Sequence, residues 1–343
     1  MPYTLQDLRR MGFTLEGATR FYDPKKGLAA KDAAMVTDPN TGLPVSLTTF
    51  FNTEVVYILT RPFRARNIIP ERPLGSADDT NAQFPQGEML GATAPYSDFS
   101  NAGHADANYN WEARDNYLFE TVRNVGDLEQ SRMARAKINL GAETQRAAAH
   151  ILDNDANRFA FLGVANLRNY GLLNDPGLNP SIPPMSVTDG SGTVVSWPDK
   201  DAMQRFNDVR ALYKQLIDQM GGNDNISNNG VETPLILAMS AETYAMLGEV
   251  SEFSNKSTLD MILAFFRKVT IVTAPEYSTE SGELMQMIIP EVDGTDTAFI
   301  APSEKFNGFA PVRGLSSFSQ KFRAGTFGTI IRRPVAVASM LGM

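Results

Sequence analysis

The chain has no cysteine. That excludes disulfides, thiolate metal sites and thiol nucleophiles, and it suits a reducing cytosol. Histidine is scarce: only His104 and His150 occur. No apolar run approaches the ~18 residues of a membrane span. The start, Met1-Pro2-Tyr3-Thr4-Leu5-Gln6-Asp7, has no apolar core flanked by basic residues, so it does not read as a secretion signal. An excess of positive charge is missing too: 31 basic residues face 39 acidic ones, a net charge of −8. Tight direct DNA binding needs a basic face to neutralise phosphates. The compact basic groups are Arg61-Pro62-Phe63-Arg64-Ala65-Arg66 and Arg332-Arg333, which read as solvated strand ends or subunit contacts. A surface that merely encloses nucleic acid is compatible with this balance.

Catalytic signatures are missing as well. There is no Gly-x-Ser-x-Gly elbow, no phosphate-cradling Gly-x-x-x-x-Gly-Lys and no Gly-x-Gly-x-x-Gly after a strand. Metal ligands at recognised spacing do not occur. His104 has Asp106 nearby in a loop-like stretch, a weak pairing for catalysis. His150 falls beside the alanine face of a helical pattern. Asp153-Asn154-Asp155-Ala156-Asn157 imitates the start of a calcium loop, but the sixth position is Arg158 and the helical pattern runs through it. Gly325-Thr326-Phe327-Gly328 reads as a bulge or tight turn. No cofactor, metal or enzymatic activity is expected.

What is present is length and order. The 343 residues, 43% hydrophobic and 20% charged, suffice for two or three packed regions. Residues 1 to about 50 read as an arm, with a helical turn or two at Leu5 to Gly12. Phe50 to Thr60 is strand or helix, ambiguous by pattern. From Ile68 to Tyr109 the chain is rich in Pro, Gly, Ala, Asn and Asp, with scattered aromatics. Strand-like sequence flanks it at Arg64 to Ile69 and Asn116 to Val125. The stretch reads as a long two-stranded excursion, with simple disorder as the competing reading. An isolated hairpin is marginal in water, and ordering backbone costs on the order of 1–2 kcal/mol per residue. Such an excursion must find its packing on other copies of the chain.

One very long helix is expected from Asp127 to Leu162. Asp127 and Gln130 would form a variant capping box, with Glu129 at the positive end. Ala134, Ile138, Ala142, Ala149, Leu152, Ala156 and Phe159 give its small, apolar face. At 1.5 Å per residue the rod would be roughly 50 Å long, far beyond the ~11–12 residues of an average helix. After a Pro- and Gly-rich stretch, a compact α/β unit follows. Its helix over Asp201 to Met220 stops at Gly221-Gly222. Strands are expected at Leu235 to Met239, Val269 to Thr273, Leu284 to Ile289 and Ala298 to Ile300. Ser240 and Ser257 would cap short helices. The tail, Phe306 to Met343, is strand-like again, with Ile330-Ile331 and Val335-Ala336-Val337 as apolar segments.

This order, with Tyr170-Gly171-Leu172-Leu173-Asn174-Asp175-Pro176 just after the helix, resembles the major capsid proteins of tailed bacteriophages, the Hong Kong 97-type fold. A similar Gly-Leu-Leu-Asn-x-Pro run is common there and in encapsulin-type shells. The resemblance implies an α+β fold divided as follows. An N-terminal arm and its lead-in strand would occupy 1–60, and an extended β-hairpin loop 61–125. A peripheral domain with the spine helix would cover 126–200, an α/β axial domain 201–303, and a return to the peripheral domain 304–343. It implies a major capsid protein that forms hexamers and pentamers and closes into an icosahedral shell around double-stranded DNA, assembled in the bacterial cytoplasm. A portal protein, a separate scaffolding protein and cement proteins would be its partners, and no membrane is involved. The inter-subunit contact candidates are Arg64, Arg66, Phe84, Tyr96, Phe99, Tyr109 and Trp111. Some members crosslink through a lysine of the extended loop, but Arg61 to Val125 holds no lysine, so non-covalent stabilisation is expected. The alternatives are an encapsulin-type shell around a cargo enzyme, a soluble α/β enzyme built on Asp201 to Ile300, and another virion component such as a tail or adaptor protein.

Overall fold

In a computed structural model of the chain, residues 63–98, 103–189, 192–221, 233–251 and 255–343 are described. They lie in one compact unit beginning at Val55. The expected turns at Leu5–Gly12, the ambiguous segment Phe50–Thr60, and Phe99 fall outside the described residues. No described helix is long and apolar enough to cross a membrane.

Six helices are used below: α1 (Ala65–Ile68), α2 (Asp127–Arg135), α3 (Leu140–Leu162), α4 (Ala202–Gln219), α5 (Ala241–Met246) and α6 (Thr258–Phe265). Nine strands accompany them. The first three are β1 (Asn81–Ala92), β2 (His104–Asp115) and β3 (Tyr117–Gly126). Next come β4 (Leu235–Met239), β5 (Val269–Thr273) and β6 (Gly282–Ile288). The last are β7 (Ala298–Gly308), β8 (Ser317–Ile331) and β9 (Val337–Leu341).

One sheet has the order β9-β6-β4-β5, with only β4 and β5 parallel. Side chains alternate across a strand, and here that alternation serves two cores. Leu237 and Met239 of β4, with Met285 and Met287 of β6, meet Val209, Leu212 and Leu216 of α4. Ala238 and Ile288 face the other way, toward Ala160 and Phe161 at the end of α3 and Ile68 of α1. Of the strands expected in the α/β unit, Leu235–Met239, Val269–Thr273 and Leu284–Ile289 fall in this sheet as β4, β5 and β6, whereas Ala298–Ile300 pairs with β8 in a different one. Asp201 with Gln204, and Ser257 with Asp260, close capping boxes at α4 and α6. Ser240 caps α5 through the Thr243 amide.

A polar knot fixes the chain before α4. Lys200 and Asp208 pair at 2.6 Å, with side chains 0% and 1% exposed. The Trp197 indole N–H and the Met185 amide also donate to Asp208, each at 2.9 Å. Burying two charges is tolerable only with partners of this kind.

The second sheet is built on β8, which pairs antiparallel with β7 on one side and β3 on the other. Helix α3 lies across it: Ala148 and Leu152 pack on Phe119, Phe322 and Ala324. Phe119 and Phe159 meet edge to face at 5.1 Å.

The end of α3 is closed by a segment from outside the helix. The last four carbonyls of a helix have no partner within it, and here each finds one. The Gly163 amide donates to Phe159, Leu172 to Ala160 and Leu173 to Phe161, at 2.8–3.0 Å. The Asn174 side-chain amide donates to Leu162 at 2.6 Å, and the Asn174 carbonyl oxygen accepts from the Gly171 amide. The Thr329 hydroxyl of β8 adds a second bond to Ala160. A side chain at Gly171 would put its Cβ 2.2 Å from the Phe161 carbonyl. The expected helix stop and turn is thus a close three-way joint between α3, β8 and residues 169–174.

Several expectations are corrected. The single helix is two: α2 ends at Arg135 and α3 starts at Leu140. Lys137 takes the left-handed conformation, φ 59. The amides of Lys137 and Ile138 donate to Ala134 and Met133, the hydrogen-bond pattern of a Schellman stop. Asn139 then caps α3 through the Ala142 amide. The apolar periodicity runs through the break, which is why it reads as continuous. The capping box at Asp127 and Gln130 does not form; Gly126 is the N-cap, and the Asp127 amide donates to Ser316 instead. Arg64 to Ile69 is a helical turn, not a strand, with the Ala65 amide donating to the Asn157 side chain. The hairpin forms inside the excursion, from β1 and β2, while β3 pairs with β8. Val335 and Ala336 sit in a 3-10 turn, and β9 joins β6 rather than returning to the second sheet. The bulge expected at Gly325–Gly328, by contrast, is present: three residue steps of β8, from Thr326 to Thr329, oppose two of β7, from Pro302 to Ile300, and Gly328 takes φ 82.

Two measurements check this account of stability. Asp208→Ala strands the Lys200 ammonium in the core, and lowers the unfolding free energy by about 3–5 kcal/mol in urea titrations. Gly171→Ala yields little soluble protein, whereas Gly221→Ala, at φ +64 with nothing within 4 Å of the added Cβ, costs only about 1–2 kcal/mol.

Candidate assembly surface

The hairpin of β1 and β2 leaves the body of the subunit at a tightly fastened base. Arg114, 2% exposed, pairs with buried Asp175 at 2.6 Å and with Glu112 at 2.7 Å. Its guanidinium lies 4.6 Å from the centre of the Tyr170 ring. The Asn169 side chain donates to the Asp115 and Thr326 carbonyls. Arg168 grips the Asp115 carboxylate from backbone and guanidinium, which holds that carboxyl below its ordinary range. The segment 163–175 that closes α3 therefore also holds the hairpin, through Arg168, Asn169, Tyr170 and Asp175.

Beyond the base, no layer of the described residues covers the two strands. In an antiparallel pair, directly opposed residues share a face. One face carries Pro85 opposite Trp111, Gly87 opposite Tyr109 and Met89 opposite Ala107. The other carries Asp106, Asn108, Asn110, Glu112 and His104 on β2, with Phe84, Leu90 and Ala92 among the residues opposite them. The first face holds the large apolar side chains that meet water: Met89 is 95% exposed, Tyr109 64% and Trp111 61%. The Tyr109 ring lies over Gly87, where a Cβ would sit 3.2 Å from it. Aromatic side chains can bury about 150–250 Å² each. At about 25 cal/mol per Å², covering what Tyr109 and Trp111 still expose contributes roughly 2–3 kcal/mol each. From Asn81 to Ala113 the sequence has four acidic residues and no lysine or arginine.

The other sequence candidates are placed differently. Tyr96 stands 91% exposed near the hairpin tip, its hydroxyl donating to Asp98 at 2.7 Å. Phe84 lies on the opposite face near the base, half-buried against Phe299, Ala301, Phe327 and Ile330 of its own chain. Arg66 pairs with Asp153 at 2.6 Å and Glu71 at 3.3 Å. Arg64 is half-buried just before α1. The structure brings Tyr109 and Trp111 together on one face and leaves Phe84 and Arg66 to local packing. Met89 and Pro85, on the same stripe, were missed. Their signal was the period-two spacing that puts Pro85, Gly87, Met89 and Gly91 on one face of a strand.

Two further features belong to the surface. Val312 and Leu315, in the β7–β8 connection, are 70% and 107% exposed. A cavity of about 410 Å³ lies between α1, α3 and the second sheet, walled by Phe119, Leu152, Ala156, Ile300 and Phe306. Among the described residues no cluster of His, Asp and Glu could hold a metal. Asp153 and Asn157, from the calcium-like run, lie within α3 and bond to Arg66, Glu276 and the Ala65 amide. His104 is an exposed residue of β2 and His150 faces Phe63 at 5.1 Å.

Comparison with known proteins fits this surface. The family model described as Pa193 gp26 major capsid protein matches residues 34–342. No curated protein was found to match. Among solved structures, the capsid of Myoviridae phage XM1 is similar at TM-score 0.70 and 11% identity, over 88% of this chain and 99% of that one. The capsid of a native GTA particle is similar at TM-score 0.59 and 11% identity, over 91% and 99%. A structure of Mycobacterium phage Che8 is similar at TM-score 0.52 and 15% identity, over 88% and 97%. These likenesses show a shared α+β capsid fold. The family match spans nearly the whole sequence, and the chain belongs to the Pa193 gp26 major capsid protein family.

Proposed function

We propose that copies of this chain form hexamers and pentamers that close into an icosahedral shell around double-stranded phage DNA. The observation that carries the proposal is the exposed apolar face of the hairpin, with Met89, Tyr109 and Trp111 mostly in water, a surface that another copy would cover. A head-to-tail contact of this kind is heterologous and closes into rings. The role is structural, not enzymatic. In this reading 1–60 is the arm and 61–125 the extended loop. The peripheral unit is 126–200 with 304–343, except that β9 sits in the sheet of the axial unit. Residues 201–303 form that axial unit, which meets its copies around the fivefold and sixfold axes.

The absence of lysine from Arg61 to Val125 supports a shell held without a covalent link from this loop. A portal protein, a scaffolding chain and cement proteins are the partners this assembly calls for, with assembly in the bacterial cytoplasm. The net charge of −8 favours enclosing DNA over gripping it.

Negative-stain microscopy with light scattering on the recombinant chain checks the proposal. Closed shells or five- and six-membered rings are expected. A homogeneous monomer that persists on concentration would contradict it. Trp111→Glu is expected to leave circular dichroism and melting unchanged, since that side chain is mostly in water. It should raise the concentration needed for assembly roughly tenfold or more.

A further inference from the structure

Among the described residues of the separate subunit, one methionine stands almost entirely in water. Met89 is 95% exposed; Met185 and Met203 follow at 51% and 45%, while Met239, Met285, Met287 and Met340 are at 0%. The residues two before and two after Met89, on the same face of β1, are Gly87 and Gly91. Neither has a side chain to shield the sulfur. Gly87 sits under the Tyr109 ring, and a Cβ at Gly91 would stand 3.0 Å from the His104 carbonyl. Cross-strand packing leaves little room for a side chain at either position, and the open thioether follows from the glycines.

We propose that Met89 is the subunit's modification site for hydroperoxides, and that its sulfoxide keeps the hairpin from seating on a neighbouring copy. The second half rests on the shell reading above. The thioether sulfur attacks one peroxide oxygen. An S–O bond forms as the O–O bond breaks, and the proton passes to the departing oxygen. Sulfur is oxidised by two electrons and hydrogen peroxide is reduced to water. The product replaces an apolar group with a polar acceptor at the distal end of the Trp111–Tyr109 stripe, one rung beyond Tyr109. An acceptor buried there without a donor weakens the contact by roughly tenfold. Once the stripe is covered, the sulfur is out of reach. Oxidised subunits are therefore excluded before assembly, and assembled ones are protected.

The test treats unassembled subunits with dilute hydrogen peroxide, then maps methionine peptides by mass spectrometry and follows assembly by light scattering. Met89 is expected to gain oxygen at least several-fold faster than Met185 and Met203, with assembly lost in parallel. Methionine sulfoxide reductases should restore it, and Met89→Leu subunits should assemble normally after the same treatment. Equal rates at Met89, Met185 and Met203 would overturn the proposal, as would Met89→Leu subunits that peroxide blocks just as well. Untreated subunits that form no rings or shells would instead overturn the shell reading, and with it the second half; the peptide map still decides the first.

Discussion

The joint at the end of α3 is the constraint on which the rest depends. A long helix that stops inside a protein must give its last four carbonyls partners. Here those partners come from residues 163–174 and from Thr329 of β8. The same short run then supplies Tyr170 and Asp175 to Arg114, and Asn169 to Asp115 and Thr326. One local requirement thereby fixes the helix, the second sheet and the base of the hairpin against one another. The back face of the first sheet closes over it through Ile288 and Ala238. Gly171 is needed because backbone must pass backbone at a distance no side chain allows.

A rigid base makes sense of what it carries. The hairpin projects an apolar stripe whose strands are 12 residues each, roughly 40 Å of ribbon. Met89 lies eight residues along β1 from Asn81, or about 27 Å. Such a ribbon is marginal alone, and Met89, Tyr109 and Trp111 remain mostly exposed on the separate subunit. The energy that completes it must come from association, so subunit stability and shell stability are separate quantities. Within the subunit, core burial and paired charges such as Lys200–Asp208 suffice. Between subunits, on the proposed assembly, Trp111 and Tyr109 would supply the apolar area.

Much of this was legible in the sequence, for identifiable reasons. The capped helices at Asp201, Ser240 and Ser257 and the apolar strand Leu235–Met239 each carry local signals that tertiary packing did not override. The aromatic-bearing excursion was recognisable because its composition cannot build a core. Two kinds of feature were not legible. The break at Lys137 hides behind continuous periodicity, because Ala134 and Ile138 keep the helical spacing on both sides of it; Asn139 ahead of Leu140 was the one cue. Strand partnership was the other. That β3 pairs with β8, nearly 200 residues away, and that Phe84 turns inward while Trp111 turns outward, depend on register. Register is set by the whole sheet and not by the local run.

The central claim, that a neighbouring copy covers the stripe, can be read from the chain's own tryptophans. There are two: Trp197, at 0% exposure, and Trp111, at 61%. Acrylamide quenching of intrinsic fluorescence should therefore show one protected and one accessible population in separate subunits. On assembly the accessible population should shift to the blue and lose its quenching, and Trp111→Phe should abolish the change. Intact shells in which Trp111 stays as quenchable as in the free subunit would contradict the account.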